Sequence, residues 1–104
     1  MKRLAFKMKL NAGQKMAYVE RHNQLWPELK SLLKESGVSE YSIFLDEETN
    51  ILFAFQKVSG PNGSQDLASN AIVQKWWDFM ADIMETHADN SPTSKPLEEV
   101  FFME

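Results

Sequence analysis

The chain has 104 residues, 43% of them apolar and 25% charged, with a formal net charge of −4 and no cysteine. At this length it forms one domain, residues 1–104, burying roughly 60–70% of the surface its unfolded form exposes. These values argue against disorder, rule out disulfides and thiol chemistry, and, without a basic cluster, argue against a nucleic-acid partner.

No apolar run approaches the ~20 residues of a membrane span, so no membrane partner is expected. The start "MKRLAFKMKL" lacks the uninterrupted core of a signal peptide, and the expected address is the cytoplasm. Its alternation, with Leu4, Phe6, Met8 and Leu10 on one side and Arg3, Lys7 and Lys9 on the other, predicts a half-buried strand. After "NAG", with Asn11 as an expected cap, Met16, Val19, Leu25, Leu29, Leu32 and Leu33 recur at near-helical spacing until Gly37. Pro27 cannot donate a backbone hydrogen bond and disfavours helical geometry at Trp26, so this helix is expected in two pieces.

The runs "YSIFLD" and "ILFAFQKV", separated by the polar "EETN", predict a hairpin. "SGPNGS" is a predicted loop. "QDLASNAIVQKWWDFMADIME" is expected to be helical, opening with a short turn before Asn70, with an apolar stripe of Ile72, Trp76, Phe79, Met80 and Ile83. "THADNSPTSKP" is expected as a loop and "LEEVFFM" as a closing strand. The order βαββαβ predicts an α+β, ferredoxin-like subunit with both helices on one face of a four-stranded sheet. Ile51, Phe53 and Phe55 fall on one face of the third strand and Leu52 and Ala54 on the other, while "VFFM" is apolar on both sides. A second copy of the chain, sheet against sheet, is the economical cover for the outer face, so a homodimer is expected.

Candidate chemistry is sparse. No phosphate loop, HExxH or GxSxG occurs, so the most common enzyme signatures are missing. Tyr18 and His22 stand four apart and share one helix face, although a packed tyrosine beside a satisfied histidine is the blander reading. Trp76 and Trp77 point about 100° apart on their helix, and an indole with its N–H suits a sugar. Tyr41 is expected on the face of Ile43 and Leu45. Asp46 suits either a turn or a pocket carboxylate, and His87 a solvated loop. No reaction follows from these residues alone.

The blocks "RHNQLWPEL" (Arg21 to Leu29), "YSIFLD" (Tyr41 to Asp46), "QKWWDFM" (Gln74 to Met80) and "DNSP" (Asp89 to Pro92) before "LEEVF" stand in the order of the L-rhamnose mutarotase family. Over essentially its whole length the chain resembles that family. The resemblance implies a cofactor-free isomerase that interconverts the α and β anomers of L-rhamnose, folded as a dimeric α+β barrel. It implies His22 as catalytic proton donor and Tyr18, Tyr41, Trp76 and Trp77 as sugar contacts. Both ring nitrogens of His22 are expected to move protons. Anomer exchange needs only acid–base chemistry: the ring oxygen gains a proton, the anomeric hydroxyl loses one, and the aldehyde recloses on its other face. A water, a tyrosine hydroxyl or Asp46 is a candidate for the anomeric proton. Two departures from the family pattern stand out: Gln24, and the turn-like "SGPNGSQDL", in which no site residue is expected. A mutarotase of another 6-deoxy sugar, a sugar-binding module without activity and an oxygenase of the same fold remain as alternatives.

Overall fold

The computed structural model describes residues 1–104. Strand β1 (Lys2–Lys9) leads through a turn at Asn11–Gly13 to α1 (Lys15–Asn23) and α2 (Pro27–Glu35). Strands β2 (Val38–Asp46) and β3 (Ile51–Val58) form the hairpin. A 3₁₀ turn at Ser64–Asp66 precedes α3 (Ala71–Met80), a second covers Ala81–Ile83, and β4 (Ser94–Pro96) closes the sheet. The strands lie in the order β2-β3-β1-β4, with every pair antiparallel. The fold is thus α+β with the expected βαββαβ order, its first helix in two pieces.

The break between those pieces follows from Pro27. Trp26 is extended, at φ −61° and ψ 129°, and Pro27 takes the first helical position, where a missing N–H costs nothing. Asn11, expected as a cap, serves otherwise: Gln14 begins the helix without a side-chain cap, and the Asn11 amide donates to the Asp82 carbonyl. The cap at Asn70 is real, its side-chain oxygen accepting from the N–H groups of Ile72 and Val73.

Phe6, Met8 and Leu10 pack with Leu52 and Ala54 against Leu29 and against Val73, Trp76, Trp77 and Met80 of α3. The predicted stripe needs correction here. Val73 and Trp77 are buried, whereas Phe79 is exposed and lies against Trp26 at the rim. Met16 and Val19 are exposed and Tyr18 is buried, so α1 turns an aromatic and polar face inward. A helix bordering a cavity has less need of aliphatic side chains than one closing a core.

A bulge in β2 positions Tyr41. Val38 faces the helices, and strict alternation from it would put residue 41 on the opposite face. The register shifts between Ser39 and Ser42, with Glu40 at φ 46°, and this extra residue returns Tyr41, Ile43 and Leu45 to the helix side.

The closing strand is misplaced in the sequence reading. β4 is Ser94–Pro96, pairing with Phe6–Met8, and the last backbone bond to β1 runs from the Leu97 N–H to the Ala5 carbonyl. Residues 98–104 form no strand within this chain. Of the apolar side chains there, Phe102 lies under the Arg3 guanidinium, while Val100 is 88% and Phe101 78% exposed. On the outer sheet face Phe44 and Phe55 are also exposed, with ring centroids 5.9 Å apart. No helix is long and apolar enough to cross a membrane.

Candidate active site

Between the helices and the inner sheet face lies a cavity of about 740 Å³, within the usual range for small-molecule sites. Tyr18, His22, Tyr41, Trp76 and Trp77 all line it, although they come from three separate elements. One turn of α1 brings Tyr18 and His22 together, their rings stacked with centroids 4.2 Å apart. The His22 ring meets Trp76 edge-on at 5.5 Å. Trp76 is fixed further by Trp26 at 5.1 Å and Phe79 at 5.7 Å, while Trp77 takes part in no such ring contact.

The polar atoms of these residues are mostly uncommitted. Every fully buried side-chain nitrogen or oxygen has a partner. The Tyr18 hydroxyl and both indole N–H groups have none within the protein, so each retains access to the open space its residue borders. A largely apolar wall with an aromatic cluster carrying several free donors suits a ligand with apolar C–H faces and many oxygens.

His22 is more constrained than its sequence suggests. Its Nδ1 lies 3.0 Å from the Tyr18 carbonyl, one helical turn back. A carbonyl only accepts, so Nδ1 is the donor and carries the proton of the neutral ring. Only Nε2 is left for chemistry, which corrects the expectation that both nitrogens move protons. Burial lowers the His22 pKa, and the bond to the Tyr18 carbonyl opposes that shift without reversing it. Burial, and then the neighbouring Tyr41, push the Tyr18 phenol upward; burial likewise raises Tyr41, against a hydrogen bond from Ser64. Both phenols are therefore neutral donors at any ordinary pH.

Asp46 lies outside the cavity. Its carboxylate accepts from the Glu48 N–H at 3.1 Å and the Thr49 hydroxyl at 3.0 Å, so it is the turn former of the hairpin and no candidate for the anomeric proton. His87 is exposed in its loop. No group of three or more metal-ligating side chains comes together.

Three supports escaped the sequence reading. Arg21 donates to the Phe79 carbonyl at 2.9 Å and to both Asp82 oxygens, at 2.8 and 3.2 Å, tying the helix of His22 to that of the tryptophans. Asp78 accepts from Gln74 and Asn90, which pins the "DNSP" loop to α3 and brings Asn90 to the cavity wall. Ser64, inside the loop where no site residue was expected, lines the cavity too. Arg21, Asp78 and Asn90 stand within the blocks "RHNQLWPEL", "QKWWDFM" and "DNSP", and the sequence makes Asn90 with Asp89 a candidate for the pocket mouth, whereas Ser64 carries no signal.

Known proteins are similar to this chain along its whole length. The family model described as L-rhamnose mutarotase matches residues 3–103. A protein of Formosa agariphila named L-rhamnose mutarotase is 79% identical over 104 residues, and one of Bacteroides thetaiotaomicron with the same name is 64% identical, both chains covered completely. The crystal structure of an L-rhamnose mutarotase from Formosa agariphila superposes with a TM-score of 0.94 at 75% identity, again over all of both chains. With fold, length and sequence in agreement from end to end, this chain belongs to the L-rhamnose mutarotase family.

Proposed function

We propose that this protein is an isomerase that interconverts the α and β anomers of L-rhamnopyranose. The observation that carries the reading is the convergence of His22, with one free ring nitrogen, on an aromatic cavity rich in uncommitted donors. Opening the hemiacetal requires a proton on the ring oxygen and loss of one from the anomeric hydroxyl. On rotation about C1–C2 the anomeric oxygen changes face while the ring oxygen stays beside the same wall. A single fixed group can therefore serve only the ring oxygen in both directions. We assign that role to Nε2 of His22, which donates as the ring opens and takes the proton back as it closes. Water entering the cavity takes the proton from the anomeric hydroxyl on opening and returns one to the aldehyde oxygen on closure. Because Nδ1 is committed, the donor is the imidazolium, which burial makes a stronger acid.

Tyr18 and Tyr41 donate to sugar hydroxyls. Trp76, held by three rings, forms a wall, and Trp77 offers a free indole to the apolar side of the sugar, including its C6 methyl. The working unit is a homodimer, and the cytoplasm is its proposed address, resting on the sequence alone. The dimer reading rests on the exposed Phe44 and Phe55 and on the apolar tail, which carries the acidic Glu98 and Glu99. Within the subunit Glu99 pairs with Arg3 at 3.0 Å.

Proton NMR saturation transfer between the two anomeric signals of L-rhamnose tests the activity. Transfer that depends on the protein, and exceeds that seen with L-fucose, is the expected result. No transfer with any sugar would leave a binding module.

A further inference from the structure

Behind Tyr41 lies a polar chain that no step so far uses. Gln56 points from β3 into the interior, is 3% exposed and stands outside the cavity lining. The backbone N–H of Ser64 donates to Gln56 Oε1 at 2.9 Å. An N–H has no acceptor role, so this bond fixes which end of the amide is oxygen. Nε2 must then be the group that donates to Ser64 Oγ, at 2.8 Å. The Gln65 amide donates to the same oxygen at 3.4 Å.

With both lone pairs of Ser64 taken, its proton has one oxygen left to serve, the Tyr41 hydroxyl at 3.5 Å. The close packing of this unit depends on Gly63: a Cβ there would stand 2.9 Å from Gln56 Oε1 and 2.9 Å from Leu4 Cδ1. Tyr41 thus receives a hydrogen bond from behind, and its own proton is free to point into the cavity.

We propose that Gln56 is a positioning residue which, through Ser64, directs the Tyr41 proton into the cavity, so that Tyr41 meets the sugar as a hydrogen-bond donor. The inference rests on the mutarotase reading above. Gln56→Glu is close to isosteric and reverses the chain: the carboxylate accepts from both the Ser64 N–H and its hydroxyl, and Tyr41 then donates inward.

The test measures kcat and KM for L-rhamnose anomer exchange in the wild type, Gln56→Glu, Ser64→Ala, Tyr41→Phe and the Gln56→Glu/Tyr41→Phe pair, each checked for folding by circular dichroism. Loss of one directed hydrogen bond corresponds to about a 2- to 10-fold rise in KM, larger for Gln56→Glu than for Ser64→Ala, with kcat within about twofold. In the Tyr41→Phe background Gln56→Glu should add nothing, as groups acting in one chain are not additive. Should Gln56→Glu fail to fold, Ser64→Ala compared with Ser64→Ala/Tyr41→Phe carries the same comparison. An unchanged KM, or an equal rise with and without the Tyr41 hydroxyl, overturns the inference and leaves the activity standing. A wild type that exchanges no sugar overturns the activity and this inference together.

Discussion

His22 illustrates how a residue's neighbours narrow its chemistry. Removing the imidazole should abolish the acid–base contribution and leave the walls in place. We therefore expect His22→Ala to bind L-rhamnose but to lose about 10²- to 10⁴-fold in catalysed exchange, read by saturation transfer. Tyr18→Phe should act mainly on KM, since Tyr18 supplies a hydrogen bond and no proton. The pH dependence follows from the lowered His22 pKa. A profile of kcat/KM should bend below the ordinary value of 6.5 and fall as pH rises through that bend, because the donor form is lost. A rise through the same bend would instead make Nε2 the group that first accepts. Stability runs the other way. Between the folded and unfolded pKa the unfolded chain binds more protons, so His22 contributes stability above pH 6.5 that is lost as pH falls through the lowered value. Urea midpoints measured between pH 7 and 5 should decline, and more shallowly in His22→Ala. The spacing of Tyr18 and His22 was readable in the sequence. The commitment of Nδ1 was not, because a histidine's tautomer is decided by a carbonyl that sequence patterns do not register.

Among the elements, those whose signal is local were legible and those fixed by distant contacts were not. Pro27 announces its own helix break, and the alternation of β1 and β3 announces their pleat. The bulge at Glu40 leaves no such mark, yet it decides that Tyr41 faces the cavity. Gln56 was equally hidden, since a lone glutamine at the end of an apolar strand reads as surface until Ser64 is seen to meet it. The turn from α2 into β2 offers a test at this scale. Gly37 has φ +95°, and a Cβ there would lie 2.7 Å from the Gly60 nitrogen and from Ser59 Oγ. Gly37→Ala combines a left-handed backbone with a contact on main chain, and urea denaturation should show a loss of more than ~1 kcal/mol.

For the molecule as a whole, the βαββαβ chain order and the single four-stranded sheet followed from the sequence, while the position of the last strand did not. "LEEVFFM" has the composition of a strand but pairs with no strand of its own subunit, and the free side of β1 is already taken by "SKP". Within one subunit its hydrophobic side chains remain a surplus, and we assign that surplus to the second copy. Sedimentation equilibrium should then return twice the chain mass, and Phe44→Glu, which places a charge in the exposed outer cluster, should shift the protein toward single chains without unfolding it. The last main-chain tie at Leu97 also marks a boundary for cleavage. Beyond it the tail is held by Arg3 alone, paired with Glu99 and stacked on Phe102 at 3.4 Å. Chymotrypsin should cut at Phe101 and Phe102 quickly in dilute protein and slowly in concentrated protein, so that the rate of nicking reports how much of the tail a neighbour protects.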